Sequence, residues 1–218
     1  MATAAPGLLF VMTDIPAEVE AEFNDWYDTE HVPERLALPG FRGAQRYRAV
    51  EGAPSYQALY DLESVAVLDT PEYKKLNETP SERTRRILPQ FRNAHRGVYT
   101  QVFPEGAEAG PAPAGTAALL LVGIAPPPGY EEEFEAWYNL EHLPALARVP
   151  GVLRARRFAP VDGSKRYLAV YELADAEIPL GDAWREAAET PWTLRQRALP
   201  RTLWLRVRSR ALVPAVSR

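Results

Sequence analysis

One stretch of this chain occurs twice. Residues 23–41 read FNDWYDTEHVPERLALPGF, and residues 134–152 read FEAWYNLEHLPALARVPGV. Phe, Trp, Tyr, Glu, His, two Pro and Gly recur in register, 8 identities in 19 positions at a constant offset of 111. The same offset relates Arg46 to Arg157, Tyr56 to Tyr167, Tyr60 to Tyr171, Glu78-Thr79-Pro80 to Glu189-Thr190-Pro191, and Leu88-Pro89 to Leu199-Pro200. A chain of 218 residues that repeats itself once accommodates two units of about 100 residues each. The boundaries read as 1–103 and 116–218. Between them, residues 104–115 (PEGAEAGPAPAG) form a Pro-, Gly- and Ala-rich linker with nothing to bury.

Each unit reads β-α-β-β-α-β. Residues 7–13 are apolar and partly β-branched, a strand pattern. Pro16 with Glu18, Glu20 and Glu22 opens a helix whose acidic first turn opposes the positive end of the dipole. Val19, Phe23, Trp26 and Glu30 share one face of it, and Tyr27, His31 and Arg35 share an adjacent one. Pro33 predicts that this helix ends or kinks just after His31. Residues 41–50 and 56–62 form strands about the turn Glu51-Gly52-Ala53-Pro54. In the second of these strands Tyr56, Ala58, Tyr60 and Leu62 face one way, and Gln57, Leu59 and Asp61 the other. Residues 63–91 are helical with breaks near Thr79-Pro80 and Pro89, and residues 95–103 close the unit. The second unit repeats this order, with strands at 116–124, 152–161, 166–173 and 201–212 and helices at 130–143 and 182–199. The predicted fold is α+β: two tandem ferredoxin-like repeats. Each repeat leaves one sheet face bare, so the two antiparallel sheets are expected to pack together as an intramolecular barrel with helices outside.

Several function classes drop out. Without cysteine there are no disulfides, thiolate metal sites or cysteine nucleophiles. A net charge of -4 argues against nucleic acid. Arg206, Arg208 and Arg210 give the last strand a basic face, but it lacks the aromatics and glycines of an RNA-binding strand. The apolar run 117–125 is about half a membrane span, and the N-terminus lacks a signal-peptide pattern, so a cytoplasmic protein without a membrane partner is expected. No phosphate loop, dinucleotide fingerprint, HExxH or GxSxG occurs, and three histidines without close pairing predict no metal site and no cofactor.

The motif W-Y-x-x-E-H-x-P, followed by P-G and a hairpin, stands at residues 26–33 and again at 137–144. It resembles the dimeric α+β barrel superfamily, nearest its EthD-like branch, over nearly the whole chain. The resemblance implies a ligand cavity between sheet and first helix in each half. Its members include cofactor-free monooxygenases, polyketide cyclases, lactone isomerases, dehydratases and haem-handling proteins. It also implies a monomer with an internal pseudo-dimer, or a homodimer of such chains.

His31 and His142 are the candidate acid–base groups, since imidazole titrates near neutrality. At helical spacing His31 has Asp28, Glu34 and Arg35, whereas His142 has Asn139, Ala145 and Leu146. Asp28 or Glu34 is therefore expected to hold the His31 ring and raise its pKa, which favours the first half as the active one. The apolar surround of His142 supports the opposite choice, a closed and dry second pocket. Glu30 and Glu141 face the sheet and are expected to pair with Arg46 and Arg157 unless they serve catalysis. Trp26, Tyr27, Tyr47, Tyr56 and Tyr60, with Trp137, Tyr138, Phe158, Tyr167 and Tyr171, form an aromatic set suited to core or to a flat ligand. Arg85, Arg86, Arg195 and Arg197 could meet an anionic group or simply face solvent. The reading that follows is a cofactor-independent enzyme moving protons on an aromatic, polyketide-like small molecule by cyclisation, dehydration or isomerisation. An oxygenase or haem-linked activity in the same cavity, and a non-catalytic binding protein, are the alternatives.

Overall fold

The computed structural model describes residues 4–212 and 216–217. The outermost residues of the two expected units, 1–3, 213–215 and 218, lie outside the described residues. Strand β1 (Gly7–Asp14) leads to helix α1 (Glu20–Trp26), a π-helical turn at Tyr27–His31, and helix α2 (Val32–Leu36). Strands β2 (Phe41–Glu51) and β3 (Tyr56–Leu62), helices α3 (Pro71–Glu78) and α4 (Glu82–Ile87), and strand β4 (Arg92–Phe103) complete the first half. The second half follows in the same order. It comprises β5 (Ala118–Ala125), α5 (Glu131–Trp137), a π turn at Tyr138–His142, α6 (Leu143–Ala147), β6 (Val152–Pro160), β7 (Tyr167–Leu173), α7 (Asp182–Ala188), α8 (Pro191–Ala198) and β8 (Thr202–Ala211). A short strand β9 (Val216–Ser217) adds to β2.

Pro33 does not stop the first helix. The π turn before it widens the backbone by one residue, and the helix runs on to Leu36, with Pro33 in the first turn of α2, where a missing N–H is tolerated. Pro144 in α6 repeats the arrangement.

The sheet order is β3-β1-β4-β6-β7-β5-β8-β2, and β2 pairs back to β3, closing an antiparallel barrel of eight strands. The sheets do not stack as separate layers; they join at their edges. Two seams tie the halves: β4 to β6, with Thr100 opposite Ala159, and β2 to β8, with Arg48 opposite Arg210. Alternation along each strand then decides which side chains enter the barrel. Leu8, Phe10, Leu59, Leu119, Leu121, Phe158, Leu168, Val170 and Val207 fill it, while two further cores lie between the barrel wall and the helices of each half.

The barrel interior also holds charge. Arg156 donates to Asp61 and, at 3.0 Å, to Glu172 Oε1; Arg154 Nη2 donates to Glu172 Oε1 at 2.6 Å. Two cations thus face two anions, one of them from the other half, and buried charges persist only when paired in this way. The linker is not idle. Ala112 is buried, Pro111 lies against Gly43, and the Gly110 carbonyl accepts from Arg154 at 3.3 Å.

Candidate functional site

The EHxP turn is built alike in both halves. Its tryptophan points at the second helical layer: Trp26 Nε1 donates to Thr84 Oγ1 at 3.0 Å, and Trp137 Nε1 to Thr193 Oγ1 at 3.1 Å. Ser81 caps α4 and Thr190 caps α8, each hydroxyl accepting from a backbone N–H three residues on. These caps are 109 residues apart, so the sequence match of Glu78-Thr79-Pro80 with Glu189-Thr190-Pro191 is displaced by two residues from the structural one. The carboxylates do not pair with the strand arginines as expected. Glu30 accepts from Ser81 and, at 3.2 Å, from Thr84, and Glu141 accepts from Thr190. Hydroxyls at the cap reach them first, because both glutamates project towards the second helix rather than the strand.

Arg46 and Arg157 lie on the helix-facing side of the barrel wall, among aromatic rings. Arg46 stands over Tyr27 at 4.4 Å and Arg157 over Tyr167 at 4.5 Å. Arg46 bonds Asp28 Oδ1 and Asn24 Oδ1, both at 2.6 Å. Asp28 is therefore engaged by Arg46 and does not hold His31, and Glu34 bonds Arg35. Arg157 has Asn139 at 3.2 Å and Glu135 at 3.9 Å. Tyr47 and Phe158 leave the aromatic set: both point into the barrel, where Tyr47 is fully buried. Tyr56 donates to Glu20 at the start of α1. Arg86 pairs with Glu22, and Arg208 with Glu51 and Glu177.

The histidines share a backbone and differ in surroundings. Each ring lies beside its tryptophan, His31 at 4.1 Å from Trp26 and His142 at 4.4 Å, nearly parallel, from Trp137. His31 is buried and its Nδ1 has no hydrogen-bond partner among the described residues. Burial, with Arg35 and Arg46 nearby, holds its pKa well below the ordinary value, the reverse of the expected rise. Burial, with Arg197 and Arg201, lowers His142 to about 4. Both imidazoles are neutral at pH 7.

Beside His142 the helices stand off the sheet and leave a cavity of about 170 Å³. Leu120, Val122, Trp137 and Leu146 line its apolar wall, with Tyr138, Tyr171 and Trp184 beside them. Arg197, Arg201 and Arg206 line the polar side. The Tyr138 and Tyr171 hydroxyls interact; burial pushes Tyr138 up to about 12 and Tyr171 well above 10, so both stay protonated. Thr193 Oγ1 lies 3.4 Å from His142 Nδ1.

The first half fills the corresponding space. Leu146 is matched by buried Arg35, which hydrogen-bonds the His31 carbonyl at 3.3 Å. Arg201, just before β8, is matched by Phe91, just before β4, whose ring packs edge-on against Phe23 and Trp26. Arg96 and Arg206 sit opposite equivalent valines, Val11 and Val122. Arg96 donates to Tyr73 OH at 3.1 Å, whereas Trp184 replaces that tyrosine and offers Arg206 no oxygen. The small cleft found in the first half, about 10 Å³, lies elsewhere, against Arg46 and Tyr56. Sequence reasoning missed Thr193, Trp184 and Arg201, and read Arg206 only as part of the basic face of the last strand. The offset drifts to 109 at Thr193 and to 110 at Arg201 and Arg206, so matching at a fixed offset misaligned these three, whereas Trp184, at 111 from Tyr73, aligned but carried no motif to single it out.

No protein-family model matches the sequence, and neither does any curated protein. Solved structures do match. A candidate monooxygenase from Fusobacterium nucleatum superposes with a TM-score of 0.68 at 8% identity, covering 99% of this chain and 95% of its own. An anthrone oxidase-like protein gives 0.61 at 13% identity, covering 98% and 93%. A variant of chlorite dismutase from Candidatus Nitrospira defluvii gives 0.61 at 9%, covering 96% and 92%. The fold is of the dimeric α+β barrel type. At these identities the likeness concerns the fold, and function rests on the site.

Haem, the cofactor that a chlorite dismutase-like fold implies, does not fit the residues present. The cavity falls below the roughly 300–1,000 Å³ of pockets that enclose drug-sized ligands, and haem is larger than most of those. The candidate axial ligand, His142, lies nearly flat on Trp137 with Nδ1 beside Thr193. Among the described residues no cluster of three metal-ligating side chains occurs, and no helix is long and apolar enough to cross a membrane.

Proposed function

We propose that the chain is a cofactor-independent oxygenase acting on a small aromatic carbon acid, an aryl ketone of the anthrone type, in the second-half cavity. The observation that carries this reading is the convergence of neutral His142 and three arginines on an aromatic-walled cavity. In the tautomer that donates Nδ1–H to Thr193 Oγ1, the His142 ring keeps a lone pair on its other nitrogen for a proton. The positive field that disfavours the imidazolium also stabilises an enolate, so the proton leaves carbon for His142 as negative charge builds on the substrate oxygen. The electron-rich enolate then reduces dioxygen directly. An electron passes to O₂, the two radicals join as a carbon peroxide, and loss of water from C(H)–OOH gives the ketone. The balance is R₂CH₂ + O₂ → R₂C=O + H₂O, with all electrons supplied by the substrate.

Proton abstraction is common to this reading and to the cyclase, dehydratase or isomerase reading from sequence. The names of the structural neighbours favour oxygen as the fate of the enolate. We further read the chain as a tandem duplication of a ferredoxin-like unit of the EthD-like branch, with units 1–103 and 116–218. The twofold E-H-x-P motif supports that reading.

Anthrone supplied in air to the purified protein, with chelator and no added cofactor, tests the function at an oxygen electrode. The expected result is one O₂ per anthrone, and a loss of about 10²–10⁴-fold in His142→Gln. Solvent deuterium entering the acidic carbon without O₂ uptake would transfer the assignment to proton-transfer chemistry alone. Neither uptake nor exchange would overturn both.

A further inference from the structure

The arginines of the cavity are more than an enolate requires, and they are charged whether or not a reaction is under way. Arg197, Arg201 and Arg206 line it, and among the described residues no Asp or Glu does. Their partners elsewhere are few. Arg197 has Glu189 at 3.7 Å, on the outer side and half exposed. Arg201 donates to the Gln196 carbonyl at 2.7 Å, a neutral acceptor. Arg206 makes no hydrogen bond or ion pair among the described residues, since Trp184 stands where Tyr73 serves Arg96. Burial and the Arg197 charge together lower the Arg201 pKa, as expected of like charges crowded without a counter-ion. An enolate exists only during turnover and leaves this repulsion unrelieved in the resting protein. A permanent anion on the bound molecule would relieve it, and a planar carboxylate matches the guanidinium fork.

The geometry points to a substrate that carries a carboxylate on its aromatic ring system, held at the cavity mouth by Arg201 and Arg206 while the rings lie between Trp137, Trp184 and Leu146. This rests on the second-half cavity being the ligand site but not on any turnover there. The neutral surround of Tyr138 and Tyr171 deeper in the cavity then receives the uncharged part of the molecule. Specificity would come from the position of the charge rather than from the rings, whose apolar contacts discriminate weakly.

The test is calorimetric titration of the intact protein with 2-naphthoate and with 2-naphthylmethanol, which share rings and differ in charge. No reaction is required, so its outcome is independent of the oxygen-electrode result. Naphthoate is expected to bind at least about 10-fold more tightly, with affinity falling as salt is raised. Arg201→Gln and Arg206→Gln should each abolish most of that preference while leaving naphthylmethanol binding within about 2-fold. The exposed Arg195→Gln should change neither, and circular dichroism confirms that each variant is folded. Equal binding of the two probes, binding of neither, or a preference unaltered in both cavity variants would overturn the assignment.

Discussion

The two halves of this protein carry the same turn, with the same Trp-Tyr pair and the same histidine, yet the packing around the second loosens into a cavity of about 170 Å³, where the first is filled by Arg35 and Phe91. In the first half Arg35 and Phe91 occupy the positions of Leu146 and Arg201. In the second half leucine is too short to fill that volume, and Arg201 is held by the Gln196 carbonyl at 2.7 Å. Conserving a motif across two halves therefore conserved a frame, the indole–hydroxyl–cap linkage, and left the site to be decided by residues outside the motif. That division explains why the histidine pair alone is a poor guide to activity.

The largest effect expected is functional asymmetry. His142→Gln should lower oxygen uptake by about 10²–10⁴-fold, while His31→Gln should leave kcat within a factor of about 2; a larger loss from His31 would place the site in the first half. Next, Leu146→Arg should convert the second half to the first-half packing. Naphthoate binding and turnover should both vanish as the longer side chain fills the cavity, read by calorimetry and at the oxygen electrode. Retained binding would show that the cavity is not the ligand site. The shared frame predicts symmetry instead. Thr84→Val and Thr193→Val each leave a buried indole N–H unsatisfied and should each destabilise by about 1–3 kcal/mol. Values differing by more than about 2 kcal/mol would break the equivalence of the two frames.

A further effect concerns pH. Both histidines have pKa values below 6.5 in the folded protein, His142 at about 4. The unfolded chain therefore binds protons first as pH falls, so stability is undiminished above about 6.5 and is lost progressively towards pH 4. His31→Gln and His142→Gln should each flatten that slope in thermal melts between pH 6.5 and 4. A slope unchanged in both variants would mean that neither ring is buried neutral.

Much of the architecture was legible in the sequence because it depends on local rules. The period-2 alternation of Tyr56 to Leu62 put Tyr60 and Asp61 on opposite faces, and the structure turns Tyr60 to the helices and Asp61 into the barrel. Pro33 was read as an end or a kink just after His31; the helix runs on to Leu36 through a π turn, a backbone adjustment that no residue type announces. The candidate site was less legible. His142, Trp137 and Tyr138 were in view, but Arg201 and Arg206 lie some 60 residues beyond the motif and at a shifted offset.

The 111-residue recurrence, the strand alternation and the helix starts by themselves determined the element order and which residues of a strand share a face, since each rests on spacing along the chain. Only the tertiary structure decided that the sheets close edge to edge, that Asp28 serves Arg46 rather than His31, and that the open cavity belongs to the second half. Those outcomes depend on the volumes and charges of side chains brought together from distant segments, and no local spacing rule contains that information.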